Sequence, residues 1–200
     1  MKERKSSTLK DREERWKRAA ETFHKGDYAG ALYLFKSLEK EGSTAALAVI
    51  GIIYELGGEE VEQDFIEAKK WYERSINEAE DVKAYMGLGR LYYSGLGVDR
   101  DYDKAYFYFS QLENENQPGA LYILGKMYEK GQGTIQDIQI ALNYYKKSAD
   151  LGHAMALREW ALLKVKTGDK LKGWFTLIRA YLRIFTIAFR DPEDWRLRVG

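Results

Sequence analysis

A chain of 200 residues is long enough for one large domain or for an array of small repeated ones. Charged residues make up 32% and hydrophobic residues 45%, only 2 prolines occur, and no strand-like alternating run stands out, so an almost wholly helical protein is expected. A net charge of +1 gives the whole molecule no electrostatic case for nucleic acid, and the absence of cysteine excludes both a disulfide framework and a thiol nucleophile.

Residues 1–10 are polar and read as a mobile arm. They lack the apolar run of a secretory signal, so the cytoplasm is the expected location. A helix is predicted from about Lys10 or Asp11 through Trp16, Ala19, Ala20 and Phe23. Gly26-Asp27 turns the chain, and a second helix carries Ala31, Leu32, Leu34, Phe35 and Leu38 as far as Gly42. Ser43 or Thr44 is placed to cap a helix ending at Leu56. The loop that follows holds Gly57, Gly58, Glu59, Glu60 and Glu62; with no His nearby, its acids read as solvated rather than as a metal site.

From Asp64 the next helix carries Ala68, Trp71, Tyr72 and Ile76. Asp81 opens a third pair, with Ala84, Leu88 and Tyr92 in its first helix and Ala105, Tyr108, Phe109 and Leu112 in its second. Tyr102, Tyr106, Phe107 and Tyr108 cannot all face one core. Packing against the next pair is favoured for them over an exposed contact site. Glu113 to Gln117 turns into Pro118, well placed in a helix's first turn. A fourth pair fills Ala120 to Gly152. The fifth runs from His153 through Ala156 and Trp160 to Lys166, and then from Asp169 to about Arg190. His24 and His153 read as helix-end residues. No catalytic set, metal site or cofactor site can be assembled from the residue types and spacings.

These pairs repeat. The pattern A-x3-[LI]-G-x2-Y stands at Ala46 to Tyr54, Ala84 to Tyr92 and Ala120 to Tyr128. Apolar and small residues at i, i+4, i+5 and i+8 share one helix face, and such a recurrence marks a stacked helical repeat. An Asp stands four residues before a small residue at Asp27, Asp64, Asp101, Asp137 and Asp169, and each reads as an N-cap. A Gly follows each first helix, at Gly26, Gly57, Gly95, Gly131 and Gly168. The Gly-x-Gly pairs at Gly95/Gly97 and Gly131/Gly133 follow no strand, so they read as bends rather than a phosphate cradle.

Taken together, A-x3-LG-x2-Y-x2-G-x-G followed by an Asp-capped A-x3-[WY] helix resembles the Sel-one-like repeat (SLR), a relative of the tetratricopeptide repeat with a longer loop. Ala84 to Phe109 and Ala120 to Gly152 carry the match, Ala46 to Tyr72 less perfectly, and the short-loop outer units resemble tetratricopeptide repeats. The resemblance implies an all-α fold, an α-α superhelix (solenoid) of about five antiparallel helix pairs, with three inner SLR units between tetratricopeptide-like outer ones. The expected units are about 11–42, 43–80, 81–116, 117–152 and 153–190, followed by a tail over 191–200. It also implies a non-enzymatic adaptor that binds a protein or peptide on the concave face, lined by the first helix of each pair. Tyr85, Arg90, Tyr93, Tyr122, Lys126 and Arg158 are the exposed positions expected there.

Charge is uneven: residues 1–18 carry +4 and residues 172–200 carry +3, leaving −6 between them. The last helix is apolar over most of its girth apart from one stripe, Thr176, Arg179, Arg183, Thr186 and Arg190. Trp174, Ile178, Tyr181, Phe185 and Phe189 are expected to make an assembly or membrane contact. Three arrangements remain open: a lid from Asp191 to Val199 using Trp195 and Leu197, pairing with a second copy or another protein, or seating in a membrane interface.

Overall fold

The computed structural model describes residues 2–168 and 170–190, and gives the backbone alone for 2–9, Lys172 and Ala188. Among the described residues there are ten α-helices and no strand. They are α1 (Lys2–His24), α2 (Tyr28–Lys40), α3 (Ala45–Leu56), α4 (Phe65–Ala79), α5 (Val82–Ser94), α6 (Tyr102–Ser110), α7 (Pro118–Lys130), α8 (Ile138–Asp150), α9 (Ala154–Lys166) and α10 (Lys170–Arg190). α1 packs on α2, α3 on α4, α7 on α8 and α9 on α10, as expected for a helical-repeat protein. The chain divides into two compact units, residues 1–100 and 101–200, and the division falls inside the third pair.

The local signals act as read. Asp27, Asp64, Asp81, Asp101 and Asp137 each accept from a backbone N–H two or three residues on, at 2.7 to 3.0 Å. Asp137 takes a second, from Ile140 at 2.9 Å. Such a cap contributes about 1 kcal/mol. The expected cap Asp169 lies outside the described residues. Two expectations need correction. Thr44 occupies the N-cap of α3 but makes no side-chain cap bond; its backbone is already helical, which turns the hydroxyl away from the free N–H groups. And α1 begins at Lys2, not near Lys10. Its first turns contain no Gly or Pro and are polar on every side, so no apolar period marks where the helix starts.

In the first unit, Phe35, Leu38, Ile50 and Ile53 form the core with the small residues Ala19, Ala31 and Ala46. Trp16 meets Phe35 edge-on at 5.2 Å between ring centroids. Each large side chain fully buried in this way stabilises by about 1.5–3 kcal/mol. Tyr72 of α4 is fully buried between two helix glycines; a Cβ on Gly51 or Gly87 would stand 2.7 or 2.4 Å from its ring. In the second unit Tyr145 of α8 lies in the same way against Gly125 of α7. This is why the repeat keeps a small residue on the first helix: a ring from the second helix occupies the volume of its side chain.

The Gly-x-Gly loops are packing devices. Gly95 and Gly131 end their helices in the left-handed conformation. The second glycine of each pair lets the loop lie on the start of an earlier helix. A Cβ on Gly97 would meet Phe65 at 2.6 Å, and one on Gly133 would meet the Tyr102 carbonyl oxygen at 2.1 Å.

Candidate binding surfaces

Two of the six expected first-helix residues are committed within the fold. Arg90 of α5 clamps Glu55 of α3 with two bonds, Nε to Oε1 at 3.0 Å and Nη2 to Oε2 at 2.7 Å. Tyr72 donates its hydroxyl to the same carboxylate. The Glu55 side chain is only 12% exposed, so Arg90 serves as its counter-ion, while the Arg90 side chain itself remains 37% exposed. Tyr122 of α7 is not exposed as expected: it is 2% accessible and stacks on His153, with ring centroids 4.7 Å apart and planes at 24°. The helix pattern within α7 did not reveal this because His153 arrives from the following pair.

The other four lie partly open. Tyr85 and Tyr93 are half-buried on α5, in the first unit. Lys126 of α7 is half-buried in the second, with Nζ 5.4 Å from the centre of the Tyr122 ring. Burial and the neighbouring Lys130 push its ammonium below the ordinary lysine range. Arg158 of α9 pairs with Glu159 and reaches the Tyr181 hydroxyl at 3.5 Å. His153 caps α9, its Nδ1 accepting from the Ala156 N–H at 3.1 Å, and burial pushes its pKa down to about 4.

Aromatic residues Tyr106, Tyr128 and Tyr144 join α6, α7 and α8. The first two meet hydroxyl to hydroxyl at 2.8 Å, and the second pair stacks at 5.5 Å. Of the four-ring run in α6, Phe107 is the exposed member, 56% accessible, so the run mostly packs.

α10 presents a different surface. Gly173, Leu177, Ala180 and Ile187 are buried against the rest of its unit. Trp174, Ile178, Tyr181, Phe185 and Phe189 are all more than half exposed among the described residues, Phe189 at 83%. The expected lid, Asp191 to Val199, lies outside the described residues. The charged stripe of α10 is partly turned inward, and Arg179 and Arg183 line a groove with Lys146, Asp150 and Trp160, a feature that required knowledge of how α10 is rotated on α9.

Among the described residues no group of three or more His, Cys, Asp or Glu is placed to hold a metal ion, and no helix is long and apolar enough to cross a membrane. Antiparallel helix pairs of this period, capped by Asp and bent at Gly-x-Gly, define a tetratricopeptide-like helical-repeat protein. More narrowly, the chain belongs to the Sel1 repeat family, whose profile matches residues 44–79, 82–114 and 118–153, just over half of the chain.

Among curated relatives, the ERAD-associated E3 ubiquitin-protein ligase component HRD3A of Arabidopsis thaliana is 34% identical over 144 residues, 67% of this chain and 21% of that protein. HRD3B of the same plant, also named an E3 ubiquitin-protein ligase component, is 34% identical over 103 residues, 51% of this chain and 16% of that protein. The chain thus spans about a fifth or less of the length of these relatives. A crystal structure of a Sel1 repeat protein from Oxalobacter formigenes superposes with a TM-score of 0.71 at 26% identity, over 88% of this chain and 69% of that one.

Proposed function

We propose that the protein is a non-enzymatic cytoplasmic adaptor that binds a peptide or protein segment on first helices within each of its compact units. The observation that carries this reading is the set of half-buried rings and cations on those helices, Tyr85 and Tyr93 in one unit and Lys126 and Arg158 in the other. Rings of this kind offer large contact area at small entropic cost, and the cations pair with carboxylates of the partner. Arg90 supports the surface from below by holding Glu55 in place, and Tyr122 forms the base under Lys126. HRD3A, as a component of a ligase complex, is a relative whose role is consistent with an adaptor. The test is a quantitative pull-down from the source cell with the native chain and with Tyr93→Ala/Lys126→Glu/Arg158→Glu. Proteins lost from the variant are the partners; identical recoveries from both would contradict the reading.

A second reading is favoured by the exposed face of α10. Trp174, Ile178, Tyr181, Phe185 and Phe189 would pair with a second copy, or with a membrane surface, which makes the protein membrane-peripheral. Light scattering of the full chain and of Ile178→Asp/Phe185→Asp tests it. Pairing predicts twice the 23.2 kDa chain mass for the first and the single mass for the second. A monomeric full chain excludes self-pairing. Sedimentation with anionic liposomes at low salt then tests the membrane, and no sedimentation sinks that option.

A further inference from the structure

A terminal repeat helix ordinarily turns its polar stripe to water, because nothing stacks on it. On α10 part of the stripe, Thr176, Arg179 and Arg183, lies beside the packing seam instead. Arg179 and Arg183 border a groove of about 420 Å³, to which α8 contributes Lys146 and Asp150 and α9 contributes Leu157 and Trp160. Three cations thus meet one carboxylate. That carboxylate, Asp150, is already taken by Lys146 at 2.7 Å, and no carboxylate of the described residues pairs with Arg179 or Arg183. Arg183 comes close to Gly152, just beyond the C-terminal end of α8: its Nη2 lies 3.5 Å from where a Cβ on that glycine would be. The partial negative charge of that helix end favours a cation there.

We infer that this groove binds an acidic peptide segment, with carboxylates on Arg179 and Arg183 and an apolar side chain against Trp160 and Leu157. Guanidinium groups hold carboxylates through paired, planar N–H donors. The indole and leucine favour a peptide over a free phosphate, which has nothing to place on them. The concave form favours a chain over a flat lipid surface. The groove takes its charged groups from the second helices α8 and α10 and shares only α9 with the surface proposed above, where Arg158 is not among its lining residues, so substitutions at Arg179 and Arg183 test it separately.

The test measures fluorescence anisotropy of a labelled peptide of alternating Glu and Leu against the full chain, beside its Gln counterpart, inorganic phosphate as competitor, and anionic vesicles. The expected result is binding of the Glu peptide alone, weakened about tenfold by Arg179→Gln/Arg183→Gln with unchanged circular dichroism. Arg179→Lys/Arg183→Lys should restore part of the affinity, and added salt should weaken binding. Equal binding by the Gln variant would overturn the inference. So would equal binding of the Gln peptide, displacement by phosphate at comparable concentration, or a preference for vesicles. Much tighter peptide binding by Asp191→Asn/Glu193→Gln/Asp194→Asn would also overturn it, because the chain's own tail would then be the occupant.

Discussion

A tyrosine buried to the hydroxyl needs an acceptor, and the repeat supplies one from the end of its first helix. Tyr72 donates to Glu55, and Tyr145 donates to Glu129 at 2.7 Å. Burial and the adjacent carboxylates push both phenols well above the ordinary tyrosine range, so they remain donors. Tyr72→Phe keeps the ring between Gly51 and Gly87 and removes only the hydrogen bond. Urea unfolding followed by circular dichroism should show a loss of about 1 kcal/mol, and no loss would mean the bond contributes nothing net. His153 gives the fold a pH dependence. It stays neutral when folded and takes up a proton on unfolding between its ordinary pKa of 6.5 and its folded value of about 4. Its contribution is therefore complete above that ordinary value and is lost as pH falls toward the folded one. Stability should drop by about 2 kcal/mol between pH 7 and pH 5. His153→Asn, which can still cap α9 but does not titrate, should flatten that slope; an unchanged slope would place its origin elsewhere. The residue-level error has one cause. Tyr122 was expected to be exposed, but it stacks on His153 from the next pair, and a helical period read within one segment cannot show a neighbour.

At the scale of the element, what was legible was what is local. The Asp caps and the helix-ending glycines act within a few residues: the first mark the starts of α2, α4, α6 and α8, the second the ends of α3, α5 and α7. The start of α1 was not legible, because a polar segment with good helix formers carries no periodic mark. The second glycine of each Gly-x-Gly was legible as a bend but not for its use, since the surface it touches lies about thirty residues earlier in the chain. That use separates two substitutions. Gly26→Ala strains a left-handed backbone but meets nothing within 4 Å, whereas Gly133→Ala adds a collision with the Tyr102 carbonyl. Thermal unfolding should show a cost of about 1 kcal/mol for the first and at least about 2 kcal/mol for the second. Equal costs would mean that the loop shifts freely off the start of α6.

For the molecule as a whole, repetition made the architecture readable from Ala46 to Gly152, because the same solution to burying a ring occurs again and again. The surfaces were less readable. The exposed face of α10 was visible as surplus apolar residues at Trp174, Ile178, Tyr181, Phe185 and Phe189, whereas the groove beside it depends on a rotation of α10 that its own sequence does not specify. If the protein works as an adaptor, its function resides in contact surfaces on the first helices. The most direct measurement is site-specific photocrosslinking in the source cell, with a photoreactive residue placed at Tyr85, Tyr93 or Lys126, and at the exposed control positions Tyr33 and Ile135. The account predicts that a discrete partner is captured from Tyr85 and Tyr93 or from Lys126 and not from the controls. Capture from the controls alone, or from no first-helix position, would contradict it.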